Sequence, residues 1–158
     1  MAADRVPLEA SRTSGAGGLG ERADPAPSDV LEATILVRRR PDPAARQRME
    51  RILSGEAERL SREDAEECFG ADAEDLRLVE EFAAASGLET VESSAAKRWV
   101  RVSGTVARME SAFGVKLRFG KKEGGVYLCY QGVLTIPASL ADIIVGVLGL
   151  DQRPVARL

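Results

Sequence analysis

From Leu31 to Arg39, Ala33, Ile35 and Val37 alternate with other residues until Pro41 and Pro43 end the run, and this period of two predicts a strand. Asp42-Pro43 offers a cap and a first helical position for a short helix through Leu53. Ser61-Arg62-Glu63-Asp64 has the form of a capping box and opens a helix to about Phe69, with Gly70 as its stop. The next helix, Asp72 to Ser86, places Leu76, Val79, Phe82 and Ala83 on one stripe and Gly87 at its C′ position. Leu88 to Ser94 and Lys97 to Ser103 read as two strands joined by a short turn. Ser103-Gly104-Thr105 leads into a helix carrying Val106, Met109, Ala112 and Phe113 at helical spacing, closed by Gly114. Val115, Leu117 and Phe119 then alternate with Lys116 and Arg118 as a further strand, and Gly124-Gly125 turns the chain into Val126 to Gln131. Pro137 begins a last predicted helix, on which Leu140, Ile143, Ile144, Val147 and Leu148 fit i, i+3, i+4, i+7, i+8 spacing.

In order this is β-α-β-β-α-β with additions. The expected fold class is therefore α+β: a ferredoxin-like βαββαβ domain over residues 30–150 with an antiparallel sheet, helices on one face, and an extra C-terminal hairpin and helix. Residues 1–29 hold Gly15, Gly17, Gly18 and Gly20 with Pro7, Pro25 and Pro27 and few aliphatics, and are expected to form a disordered leader. Residues 151–158 follow the domain as a linker. With helices on one side, the other sheet face is open unless a partner covers it. If Val100 and Val102 face the helices, then Trp99, Arg101 and Ser103 face out. Trp99 is the sole tryptophan, and Trp and Arg are the residue types most enriched at interface hot spots. The alternative is a Trp99 folded partly onto its own hairpin.

Composition narrows the chemistry. The 158 residues contain no histidine, which removes Ser-His-Asp and Cys-His nucleophile activation and histidine-ligated metals. Two cysteines, Cys68 and Cys129, are too few and too distant for a disulfide framework or a zinc site and read as small buried thiols. Glu66/Glu67 and Glu80/Glu81 lie on polar helical faces, no Walker A or GxSxG stretch occurs, and the glycine-rich run Gly15 to Gly20 has no strand before it and reads as linker, so no catalytic residue and no metal ligand is assigned. Residues 60–92 carry 11 acids against two bases, whereas residues 93–158 carry 10 bases against four acids. That asymmetry fits solvated helix faces, complementary faces within one fold, or a polarised docking surface. Arg38-Arg39-Arg40 ends a strand where it is placed to touch phosphate, but aromatics make up 4% of the chain and the open face offers one obvious stacking ring, so nucleic acid is not an expected partner. A membrane span is not expected either, because the longest apolar stretch, Ile143 to Leu150, is broken by Gly146 and Gly149. Met1 to Asp29 contains no apolar h-region of a signal peptide.

Three sets of residues carry a resemblance. Leu60-Ser61-Arg62-Glu63 with Phe69-Gly70-Ala71-Asp72, then Val100 to Val106 with Ala112-Phe113-Gly114-Val115, and Ile136-Pro137-Ala138-Ser139-Leu140 through Val147 to Arg157 closely resemble the propeptide of sedolisins, the serine-carboxyl peptidases of the kumamolisin type. The match runs from about Leu31 to Arg157 in the same order. It implies a non-catalytic, secreted prodomain that inhibits a sedolisin-type peptidase domain, assists its folding and is removed by acid-triggered proteolysis. It also implies that the segment running through the active-site cleft is Asp151, Gln152, Arg153, Pro154, Val155, Ala156, Arg157 and Leu158. The family's catalytic set and its usual calcium site belong to the peptidase domain, which no stretch here matches, so no cofactor is expected in this chain. An excised prodomain, a fragment and a free-standing ferredoxin-like binding module without a peptidase partner remain as readings. Without imidazole, any acid response on this side rests on carboxylates titrating near pH ~4.

Overall fold

The computed structural model describes residues 4–8, 25–40, 47, 50–55, 70–122 and 125–151. Among the described residues, the elements with both ends placed are β1 Arg5–Pro7, β2 Val30–Val37, α1 Ala73–Ala85, β3 Glu89–Ser94, β4 Trp99–Thr105, α2 Val106–Phe113, β5 Lys116–Lys122, β6 Gly125–Gln131, β7 Thr135–Pro137 and β8 Ile144–Leu148. The central sheet has the order β3-β4-β2-β8 and is antiparallel throughout. With α1 between β2 and β3, and α2 between β4 and β8, this is the ferredoxin-like plan within an α+β chain. Residues 47 and 50–53 are helical, within the short helix expected from Asp42-Pro43 through Leu53, whose start lies outside the described residues. The capping box at Ser61 and its helix to Phe69 fall outside the described residues.

Both helices end where their cap residues dictate. Asp72 accepts the Glu74 N–H at 2.8 Å to start α1. At its end Leu88 N–H donates to Ala83 O and Gly87 N–H to Ala84 O, a Schellman closure that needs the left-handed φ of +78° at Gly87. Thr105 caps α2, and two of its unpaired first-turn amides donate to carbonyls far upstream: Val106 to Asp29 and Ala107 to Pro27. Leu76, Val79 and Ala83 of α1 and Val106, Met109, Ala112 and Phe113 of α2 are buried, in one core with Ala33, Ile35, Val37, Val100 and Val102 from the sheet. Gly104 lets the Leu88 side chain pack against β4, since a Cβ there would make Leu88 shift.

Two sequence expectations are corrected. The fourth strand of the sheet is not the Val115–Phe119 segment, which pairs with β6 as a separate two-stranded hairpin, but β8. The predicted helix from Pro137 to Leu148 reduces to one 3-10 turn, Ala138–Leu140, before β8. A bulge explains the misleading period. Val37 pairs with Ile144 while Leu36 pairs with Gly146, so Val145 is inserted and residues three apart, Ile144 and Val147, reach the same buried face. The β-branched Ile144, Val145 and Val147 then favour the strand that fills the free edge of β2, with Gly146 at its bulge.

The leader expectation is also corrected at both ends of residues 1–29. β1 pairs antiparallel with β7, Leu8 is buried, and residues 25–29 form the turn that caps α2. Residues 9–24 are not described.

At the end of β2, Arg38 donates from Nε to Asp75 Oδ2 at 2.9 Å and from Nη2 to Oδ1 at 3.3 Å, a forked pair that ties the strand to α1. The Asp75 hydrogen bond raises the Arg38 pKa further above its ordinary value. Arg40 Nε lies 3.8 Å from Asp72 Oδ2. Arg38 and Arg40 of the basic run are thus engaged within the fold rather than displayed for phosphate. On the outer side of α1, Arg77 bonds both Glu74 and Glu81, and its hydrogen bond lowers the Glu74 pKa. That exposed contribution is present above the ordinary glutamate pKa and is lost as pH falls through the lowered native value.

Candidate functional site

The sheet face away from α1 and α2 is built by strand parity. Ala33, Ile35 and Val37 of β2 and Val100 and Val102 of β4 point to the helices, so their neighbours point the other way. Pairing then fixes three rows across the face. The first runs Ser94, Trp99, Leu36, Gly146; the second Glu92, Arg101, Thr34, Leu148; the third Glu89, Ser103, Glu32. The three positions singled out in the sequence, Trp99, Arg101 and Ser103, therefore lie side by side on one face.

Charge frames the central ring. Lys97 Nζ lies 5.0 Å and Arg101 Cζ 5.4 Å from the Trp99 ring centroid. Such cation–π contacts contribute about 0.5–1 kcal/mol each at exposed sites. Glu92 joins the two cations, with Oε1 3.8 Å from Lys97 Nζ and Oε2 3.5 Å from Arg101 Nη1. The ring is thus held in place, but its polar edge is not satisfied: Trp99 Nε1 is buried with no hydrogen-bond partner among the described residues. An unpaired buried donor costs about 1–3 kcal/mol.

Apolar surface continues past the ring. Leu148 is 55% exposed, and Gly146 offers no side chain beside Leu36. Leu36 and Leu148 were not among the sequence candidates. Leu36 carried a signal, since it is an apolar residue on the polar phase of an alternating strand. Leu148 carried none, because the helical reading buried it.

The chain leaves the sheet at one end of this face. Gly149, with φ +102°, passes so close to β2 that a Cβ would sit 2.9 Å from Glu32 O, in the row that contains Ser103. Leu150 then plugs the core and Asp151 is half-exposed. Gln152 to Leu158, the rest of the expected cleft segment, lie outside the described residues. Cys129 is buried within β6. No group of three or more His, Cys, Asp or Glu side chains that would hold a metal ion occurs among the described residues. None of the described helices is long and apolar enough to cross a membrane.

Comparison with known proteins agrees with this architecture. The family model described as Pro-kumamolisin, activation domain matches residues 18–153. Kumamolisin from Bacillus sp. (strain MN-32) is 40% identical over 98 residues, which is 62% of this chain and 18% of that protein. The chain thus aligns with less than a fifth of that relative's length. Because the family match covers most of the described fold, from before β2 to beyond β8, the chain belongs to the pro-kumamolisin activation domains, the non-catalytic propeptide type of sedolisin-type peptidase precursors.

Proposed function

We propose that this activation domain docks its open sheet face on a sedolisin-type peptidase domain, in cis or in trans, inhibiting it and assisting its folding until acid-triggered proteolysis removes it. The observation that carries this reading is the face itself: one tryptophan framed by Lys97 and Arg101, with Leu36 and Leu148 beside it, on the side of the sheet away from α1 and α2. Trp99 and Arg101 act as anchors and Ser103 as a hydrogen-bonding rim. Asp151 follows the end of β8 on the Ser103 side of the sheet, and Asp151 to Leu158 are the segment assigned to the cleft. The chain supplies no cofactor, and the complex works outside the cell.

Acid release follows from carboxylates that pair with the partner's bases. Such pairing lowers their pKa in the complex, so the stabilisation is present above the unpaired value near pH ~4 and is lost as pH falls through the bound value. Glu32, Glu89 and Glu92 stand on the docking rows. The test is a titration of mature kumamolisin-type peptidase with this chain. Expected are stoichiometric inhibition at neutral pH, its weakening on acidification, and a loss of about 2 kcal/mol, roughly thirtyfold in affinity, for Trp99→Ala. Absence of inhibition at neutral pH contradicts the reading. Full inhibition unchanged by Trp99→Ala removes the open face from it.

A further inference from the structure

The first strand occupies a place that the rest of the chain prepares for it. β7 offers its edge, and the bonds that seat residues 4–8 on it alternate: Leu8 N–H donates to Leu134 O at 2.8 Å and Ala138 N–H to Asp4 O at 2.7 Å. Between these ends Val6 faces Ile136. Pro7 and Pro137 fall at the intervening positions, where a strand residue needs no N–H toward its partner. Leu8 is 7% exposed and joins the core. The side chain of Arg5 reaches the end of α2. It donates from Nη2 to Ala112 O and to Thr135 O, the latter at 2.8 Å, and from Nε to Thr135 Oγ1 at 3.0 Å. Thr135 Oγ1 in turn donates to Phe113 O at 3.3 Å.

That placement answers a need of α2. The last carbonyls of a helix lack intrahelical partners and carry partial negative charge, and α2 has no basic residue in its own last turn. Arg5, 107 residues away in sequence, supplies the cation. Gly114 makes room for the connection, since a Cβ there would sit 2.5 Å from Thr135 Oγ1. β1 also lies outside residues 18–153, the extent of the family match.

We propose that the β7 edge and the C-terminal end of α2 form a peptide-binding site for an extended segment carrying an arginine and, three residues later, a leucine, and that the chain's own residues 4–8 are its resident ligand. The ligand adds a strand by main-chain pairing, its arginine reads the carbonyls of Ala112 and Thr135, and its leucine fills the core opening. The site is independent of the open sheet face. An arm held by so few contacts is removable by proteolysis or exchangeable with a peptide of the same kind.

The test uses the chain lacking residues 1–8 and a synthetic peptide of residues 1–8. Expected are saturable one-to-one binding by calorimetry, a rise in the thermal midpoint of the shortened chain on adding peptide, and at least tenfold weaker binding of a peptide carrying Arg5→Ala. A folded shortened chain that ignores the peptide overturns the proposal, as does binding indifferent to the arginine. The full chain provides a second readout that does not need the deletion to fold. The Ala138 amide donates to Asp4, so Arg5→Ala should speed its hydrogen exchange at least tenfold while leaving the Val100 and Val102 amides of β4 unchanged. Unchanged exchange at Ala138 overturns the proposal too.

Discussion

Phe113→Ala is expected to lower the unfolding free energy by about 4 kcal/mol, within the usual range for deleting a fully buried phenylalanine. Phe113 is 0% exposed and ends α2. Its ring meets Phe82 of α1 edge-on, with centroids 6.0 Å apart and planes at 70°. It is therefore one contact through which the two helices hold each other above the sheet, beside the Arg108 Nη1 hydrogen bond to Gly87 O at the end of α1. The site cannot easily collapse after truncation, because Gly114 and Thr135 fix the backbone immediately beyond it. Urea unfolding followed by circular dichroism would report the change as a lower midpoint at constant slope. A loss below about 1 kcal/mol would mean that the two helices do not share this contact.

Arg38→Ala should cost about 3 kcal/mol, the lower end of the range for removing one partner of a buried ion pair. The low end applies because the Arg38 side chain is 34% exposed and keeps some hydration, whereas that of Asp75 is 8% exposed and would be left charged against the core. The double variant Arg38→Met with Asp75→Leu should recover most of the loss, since two apolar side chains need no partner. Thermal or urea unfolding of the three proteins forms the cycle. If Arg38→Ala proves neutral, the pair is ornamental and the link between β2 and α1 is carried by apolar packing alone.

What the sequence revealed was local chemistry. Asp72, Gly87, Thr105 and Gly114 mark the limits of α1 and α2 because a cap acts within a turn of its helix. Parity along β4 placed Trp99, Arg101 and Ser103 on the outer face for the same reason: one neighbour's direction fixes the next. The rest depended on partners distant in sequence. β8 looked helical because its bulge sets Ile144 and Val147 three apart on one face, and only the register against β2 exposes that. β1 is three residues long, and its partner lies about 130 residues onward, so neither period nor composition could announce it. Asp75 looked like one more acid on a polar helix until Arg38 was found against it. Leu36 and Leu148 complete the open face, yet only the first was readable as an apolar residue out of phase.

The most direct test of docking through the open face is hydroxyl-radical footprinting of this chain, free and saturated with mature kumamolisin-type peptidase at neutral pH. Docking by the first two rows predicts that oxidation of Trp99 and Leu148 falls severalfold in the complex, while Leu53, which is 79% exposed outside the sheet, is oxidised as before. Full inhibition with Trp99 and Leu148 oxidised at their free rates would contradict it and move the peptidase to another surface of the domain.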